Sequence, residues 1–294
     1  MGYSVTYGEQ PVARIVHGSH DRLGLRFEPE YRSQLLRPIL SLSFEDDLRR
    51  DYWGPGSKRQ PNFLGNLLPE GQLRTLVSQQ HSFSEDDEPG LLTAIGNDLP
   101  GAVAFHKDEL ETLHDPSPDT PKESETDTDP ALRFSLAGVQ LKFSMLMKDK
   151  KLHLPARGQD GDWIVKLSFG DFPGLPENEH AVMTWARLVG FEVPETRILE
   201  ASSVSGLTPY VKRDFRALAV KRYDRTPNGR IHQEDFAQVL NRPPSAKYEG
   251  KAEQLLIVVQ RVVGYEAYEK LLSRMALFIS SGNLRPAGQE AGRQ

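Results

Sequence analysis

This sequence predicts an α+β fold in two parts, on three observations. Short apolar runs broken by turn residues fill roughly the first hundred positions. A stretch almost without core-forming residues then interrupts the chain. Beyond it come more strand-like runs, then segments whose apolar residues recur at helical spacing. A chain of 294 residues has room for two domains of ordinary size, each with its own core.

The elements follow in order. From Val5 to about Phe44 the pattern is short strands and turns. Val12–Val16 and Leu23–Phe27 flank a turn at His17–Asp21. After Phe63–Gly71 a helix is predicted around Gln72–Val77. Ser84 is the expected N-cap of a further helix through Ile95, closed by Gly96. The segment from 108 to 130 is acidic and rich in Pro, Ser and Thr. It cannot recover its ordering entropy by burial, so it reads as a mobile linker between a domain at 1–107 and a second at 131–294. The second domain opens with strands at Phe134–Ser135, Leu141–Met147, Leu152–Leu154 and Trp163–Leu167. An amphipathic helix from Asn178 to Leu188 stops at Gly190. Strands at Arg197–Leu199 and Leu218–Val220 precede helices at Ala252–Val263 and Ala267–Ile279.

Composition excludes several functions. A net charge of −5 and a pI near 5.9 argue against a nucleic-acid binder that works through a basic surface. With no cysteine there are no disulfides, no thiolate chemistry and no Cys-containing zinc sites. The first residues, Met1–Thr6, carry neither a basic nor an apolar leader region. No apolar run approaches the ~18 residues needed to span a bilayer. The expectation is a soluble cytoplasmic protein with no membrane partner.

The chemistry concentrates at two places. Arg133-Phe134-Ser135-Leu136-Ala137-Gly138-Val139-Gln140-Leu141-Lys142-Phe143 is a turn of small residues between alternating apolar stretches. Trp163-Ile164-Val165-Lys166-Leu167 is an apolar strand with one lysine. Such a turn followed by a strand lysine can cradle phosphates, backbone N–H groups approaching closely and the ammonium adding a point charge. The turn alone is most often just a hairpin, and Lys166 on an edge strand would simply face water. Glu179 is placed on the next helix to hold such a lysine, although acidic residues also favour helix N-termini for the dipole. Val220–Arg225, ahead of Pro227-Asn228-Gly229, reads as either a connection between lobes meeting a purine edge or a charged hairpin. His232 and Asp235 offer either an acid/base pair or an N-terminal capping arrangement. The phosphate-loop, zinc-protease and nucleophile-elbow motifs do not occur, and the histidines show no paired metal-ligand spacing.

At these residues the sequence resembles the HipA family, the serine/threonine kinase toxins of bacterial toxin–antitoxin pairs. Asn66–Gly71 and Ile95–Val103 are similar to the family's N-terminal domain. Ser135–Lys142 is similar to its glycine-rich loop. Pro176–Glu179, Tyr223-Asp224-Arg225, His232–Phe236 and Lys247-Tyr248-Glu249 match in order and spacing. The resemblance implies a small β-rich N-terminal domain followed by a protein-kinase-like N-lobe and a helical C-lobe. It implies ATP and Mg²⁺ as cofactors and a cytoplasmic protein target, a tRNA synthetase in some members. It also implies a helix-turn-helix antitoxin of HipB type as partner, with DNA reached only through that antitoxin.

By position, Ser135 would be autophosphorylated, with Ala137, Gly138 and Val139 forming the phosphate loop. Lys166 would contact the phosphates with Glu179 as its partner, and Lys221 and Tyr223 would offer backbone groups to adenine. The family usually has glutamate where this chain has Lys221. A larger departure follows Gly282-Asn283. The family continues Gly-Asn-x-Asp-x-His-x-x-Asn, whereas here Leu284-Arg285-Pro286 comes next and no aspartate appears after Asn283. No catalytic or metal-binding residue is therefore assigned. The expectation is a kinase chain truncated within its C-lobe and impaired in phosphoryl transfer, with apolar surface exposed on Leu271, Leu272, Met275, Leu277 and Phe278. The alternative is a non-catalytic, antitoxin-binding or regulatory remnant.

Overall fold

The computed structural model describes residues 2–108, 142–149, 151–155, 160–167, 174–205 and 216–282. The first part is an antiparallel sheet of strands β1 (Tyr3–Tyr7), β2 (Gln10–His17), β3 (Arg22–Phe27), β4 (Tyr52–Ser57) and β5 (Val103–Lys107), in the order β4-β3-β2-β1-β5. Helices α1 (Pro29–Ser33), α2 (Asn62–Gly65), α3 (Gly71–Gln80) and α4 (Glu88–Ile95) accompany it. The apolar positions of β2 and β3 alternate into a core where Phe27, Phe44, Tyr52 and Phe63 meet edge-to-face, with centroids 4.5–6.1 Å apart.

The cap of α4 corrects the sequence reading. Asp87, not Ser84, caps this helix, its side chain accepting from the Gly90 N–H at 3.0 Å. Pro89 fixes the start: it lacks an N–H and fits only within the first turn, so the helix cannot begin as early as Ser84 allows.

The second part is a six-stranded sheet. Its strands are β6 (Lys142–Lys148), β7 (Lys151–His153), β8 (Trp163–Leu167), β9 (Thr196–Glu200), β10 (Val204–Ser205) and β11 (Arg216–Lys221), in the order β10-β7-β6-β8-β11-β9. Among the described strand pairs of this sheet, only β10 and β7 run parallel. Helix α5 (Leu175–Leu188) packs on β8, β11 and β9. It starts earlier than the apolar spacing suggested because Pro176 is accepted in its first turn, and it stops at Gly190, where φ is +94°. A hairpin of β12 (Arg225–Thr226) and β13 (Gly229–Arg230) turns around Pro227 and Asn228. The short α6 (Phe236–Val239) follows, and then a helical pair, α7 (Ala252–Val262) and α8 (Tyr265–Ser280).

Neither α7 nor α8 has a fully buried residue. Leu272 and Phe278 are exposed as expected, while Leu271, Met275 and Leu277 are half-buried. No described helix is long and apolar enough to cross a membrane.

Candidate functional site

Strand β8 lies inside its sheet, flanked by β6 and β11. Lys166 is therefore not an edge charge turned to water. In β8 the side chains of Trp163, Val165 and Leu167 go to one face and are buried. Lys166 takes the opposite face, the one that α5 covers. There its Nζ donates to Oε1 of Glu179, one turn into α5. About a fifth of each of these two side chains is exposed, 19% and 24%, so the ammonium is held in place yet still open to a ligand. The structure thus brings Lys166 and Glu179 together.

Lys221 ends β11, and its N–H donates to the Glu195 carbonyl at 2.9 Å. Only its carbonyl is left to meet a purine. Tyr223 is exposed, and its hydroxyl donates to Oε1 of Gln233. Burial of part of the ring's surroundings, with Asp224 nearby, raises the phenol above its ordinary value. Ser135, Ala137, Gly138 and Val139 lie outside the described residues, as do positions 109–130 of the linker and everything after Gly282.

Around Tyr223 runs a seam of charge that the sequence reading missed. Arg222 is wholly buried. Its guanidinium donates to Asp224 at 2.7 and 2.9 Å, and to Asp98, in the first part of the chain, at 2.6 Å. Arg225 adds bonds to Asp98 at 3.0 Å and to Asp224 at 2.8 Å, and Arg230 holds Asp160 in a two-pronged pair. Three guanidiniums thus face three carboxylates, and the cluster is neutral. The Gly101 N–H and the Leu99 carbonyl complete it.

Burial alone would lower Arg222, but its bonds to Asp224 and Asp98 hold it above the ordinary value. Burial would raise Asp224, and the same arginines hold it below. Arg225 is lowered by burial and by the Arg222 charge. The missed signal was legible in outline: Arg222 and Asp224 directly follow a strand of four buried apolar residues.

The His232 region resolves in favour of structure. Asp235 caps α6, accepting from the Gln238 N–H at 2.8 Å while Gln238 returns the bond, a complete capping box. His232 does not take part. Its Nε2 lies 2.9 Å from the Leu40 carbonyl, and its ring packs on Tyr7. Burial lowers His232 and raises Glu234, whose carboxylate accepts from the Leu42 N–H. Gln238 donates to the Phe63 carbonyl at 3.0 Å. The motif is a clasp onto the first part of the chain, at Leu40, Leu42 and Phe63. Among the described residues no group of three His, Asp or Glu side chains could hold a metal ion.

Two family models match the chain. The HipA N-terminal domain covers residues 3–106, and the HipA-like C-terminal domain covers 134–284. A putative kinase of Sinorhizobium fredii, Y4dM, is 42% identical over 88% of this chain and 63% of its own length. The serine/threonine-protein kinase toxin HipA of Shewanella oneidensis is 28% identical, over 67% of this chain and 47% of that protein. The chain therefore spans about half to two-thirds of the length of these relatives. A solved complex of HipA and HipB from Shewanella oneidensis MR-1 with operator DNA has the same fold, with a TM-score of 0.54 at 21% identity, over 86% of this chain and 60% of that one. With family models matched across both parts of its fold, this chain belongs to the HipA family.

Proposed function

We propose that this chain is the N-terminal domain and nucleotide-binding portion of a HipA-type serine/threonine protein kinase toxin. The observation that supports this best is the Lys166–Glu179 pair, a sheet lysine held by a helix carboxylate on a partly open face. That arrangement presents a fixed ammonium to nucleotide phosphates. In this reading Ala137, Gly138 and Val139 cradle the phosphates, and Ser135 is the residue that accepts phosphate on autophosphorylation. The Lys221 carbonyl and the Tyr223 backbone meet adenine. The domains fall at 1–107 and 131–294, with 108–130 as tether.

The described residues fit a nucleotide better than its metal. ATP finds Lys166, but the carboxylates near it are engaged with lysines, and no described cluster suits Mg²⁺. At the family's catalytic aspartate position stands Arg285. Loss of a general base costs ~10²–10⁴ in rate, so phosphoryl transfer by these residues is expected to be severely impaired. The partner in this reading is a helix-turn-helix antitoxin of HipB type, through which DNA is reached. The substrate class is a protein serine, as in family members that modify a tRNA synthetase.

Binding of fluorescent ATP to the 294-residue chain, with and without Lys166→Ala, tests the site. The expected result is saturable binding that the substitution weakens at least tenfold. Absence of binding by the unaltered chain would overturn the nucleotide reading and favour an antitoxin-binding protein. Efficient transfer of label from γ-labelled ATP to Ser135 would overturn the expected impairment.

A further inference from the structure

Where the chain leaves β11, Tyr223 is exposed between two buried neighbours, Arg222 and Asp224. The loop at 98–101, which joins α4 to β5 in the first part of the chain, grips both neighbours. Arg222 donates to the Asp98 carboxylate at 2.6 Å and to the Leu99 carbonyl at 3.3 Å. Asp224 accepts from the Gly101 N–H at 2.9 Å. Arg225 braces the loop at both ends, donating to Asp98 at 3.0 Å and to the Gly101 carbonyl at 3.0 Å. The second part adds the Asp162 carbonyl, which accepts the Arg222 N–H at 2.8 Å. The loop is itself fixed. Leu99 and Val103 are buried in the core. Gly101 has φ +75°, and a Cβ there would lie 2.8 Å from the Gln233 nitrogen, so only glycine fits. A rigid loop of the first part therefore sets where the backbone beside Tyr223 stands.

We propose that Asp98 is a positioning residue for the adenine end of the nucleotide site, acting through Arg222 on the backbone of Lys221 and Tyr223. This rests on the nucleotide reading above and adds to it a role for the first part of the chain. Hydrogen bonds to a purine edge weaken steeply with distance and angle, so a small displacement of that backbone costs affinity. Asp98 and Arg222 are buried and offer a ligand no surface of their own. Their influence on a nucleotide passes through the backbone alone. Lys166 has a different support, since its bond to Glu179 involves no member of the seam. The phosphate end is braced by α5 and the adenine end by the first part of the chain.

The test is calorimetry with ATP and with inorganic tripolyphosphate, which carries the phosphates without the adenine. Both are titrated into the 294-residue chain and into Asp98→Asn, each confirmed as folded by circular dichroism. Asp98→Asn should weaken ATP about tenfold, the worth of one or two hydrogen bonds to adenine. Its affinity for tripolyphosphate should stay at the level of the unaltered chain. Lys166→Ala, by contrast, should weaken both ligands. Arg225→Lys keeps a cation against Asp98 and Asp224 but loses the planar fork. It should give the same selective loss, smaller in size, and it carries the test if Asp98→Asn does not fold. Equal loss of ATP and tripolyphosphate in a folded Asp98→Asn would mean a general loosening of the fold. Unchanged ATP affinity would mean that the adenine edge is placed without the first part of the chain. Either result overturns this inference and leaves the nucleotide site standing. An unaltered chain that takes no ATP, or no tripolyphosphate, overturns the nucleotide reading and this inference with it.

Discussion

Arg222 and Lys166 are both cations paired with carboxylates within one stretch of sheet, yet they sit in opposite physical settings. Arg222 has no exposed surface, and its partners Asp98 and Asp224 are nearly as deep. Every strong donor of its fork is matched, and the acceptors come from both parts of the chain. Lys166 has a single carboxylate and a fifth of its side chain open. A buried, saturated pair has nothing left to offer a ligand. A half-open pair with an unspent ammonium does. Burial and saturation, more than residue type, separate the seam that holds the molecule together from the face that suits a substrate.

That contrast is broken most directly at Arg222. Arg222→Ala leaves Asp98 and Asp224 as buried carboxylates short of a cation, a class of change that costs ~3–5 kcal/mol. Urea unfolding should show a loss of unfolding free energy of that size. Arg222→Lys should recover only part of it, because an ammonium cannot make the two-pronged bond to Asp224. A shift below ~1 kcal/mol for Arg222→Ala would mean the seam relaxes or admits water, and the distinction between the two regions would fail.

A smaller effect is expected at Asp235, where a helix cap and an ion pair share one carboxylate. It caps α6 and also lies 2.7 Å from Lys247. Asp235→Ala should cost ~1 kcal/mol, the ordinary value for a lost N-cap. Asp235→Ser keeps a capping oxygen but removes the charge beside Lys247, so it should restore most of the stability. If serine is no better than alanine in urea unfolding, the ion pair outweighs the cap.

The sequence made the sheet lysine, its helix carboxylate and most elements legible, for local reasons. Alternation of apolar residues marks β2, β3 and β8, helical spacing marks α5, α7 and α8, and a lysine amid Trp163, Val165 and Leu167 stands out. The seam was not legible as a seam, because its partners are separated by more than a hundred positions: Asp98 and Arg222 meet only in three dimensions. Tyr223-Asp224-Arg225 and His232–Phe236 were visible as motifs, but nothing in one sequence says whether a motif faces a ligand or a neighbouring domain. Asp224 and His232 turn out to face the first part of the chain, at Gly101 and Leu40.

The smallest stability effect is expected at Lys166 itself, and it is the most discriminating because two quantities must diverge. Partly exposed ion pairs contribute about 0–1 kcal/mol after screening and side-chain ordering. Lys142 of β6 stands opposite Lys166 in antiparallel register, so Lys166→Ala also relieves a like-charge repulsion across the strand pair, which offsets part of that loss. Its urea midpoint should therefore move little, or even rise, while ATP affinity falls at least tenfold. A site-bearing residue is one whose removal costs the ligand more than the fold. Should Lys166→Ala unfold as readily as Arg222→Ala, the lysine belongs to the scaffold, and its half-open face is an accident of α5's approach to the sheet.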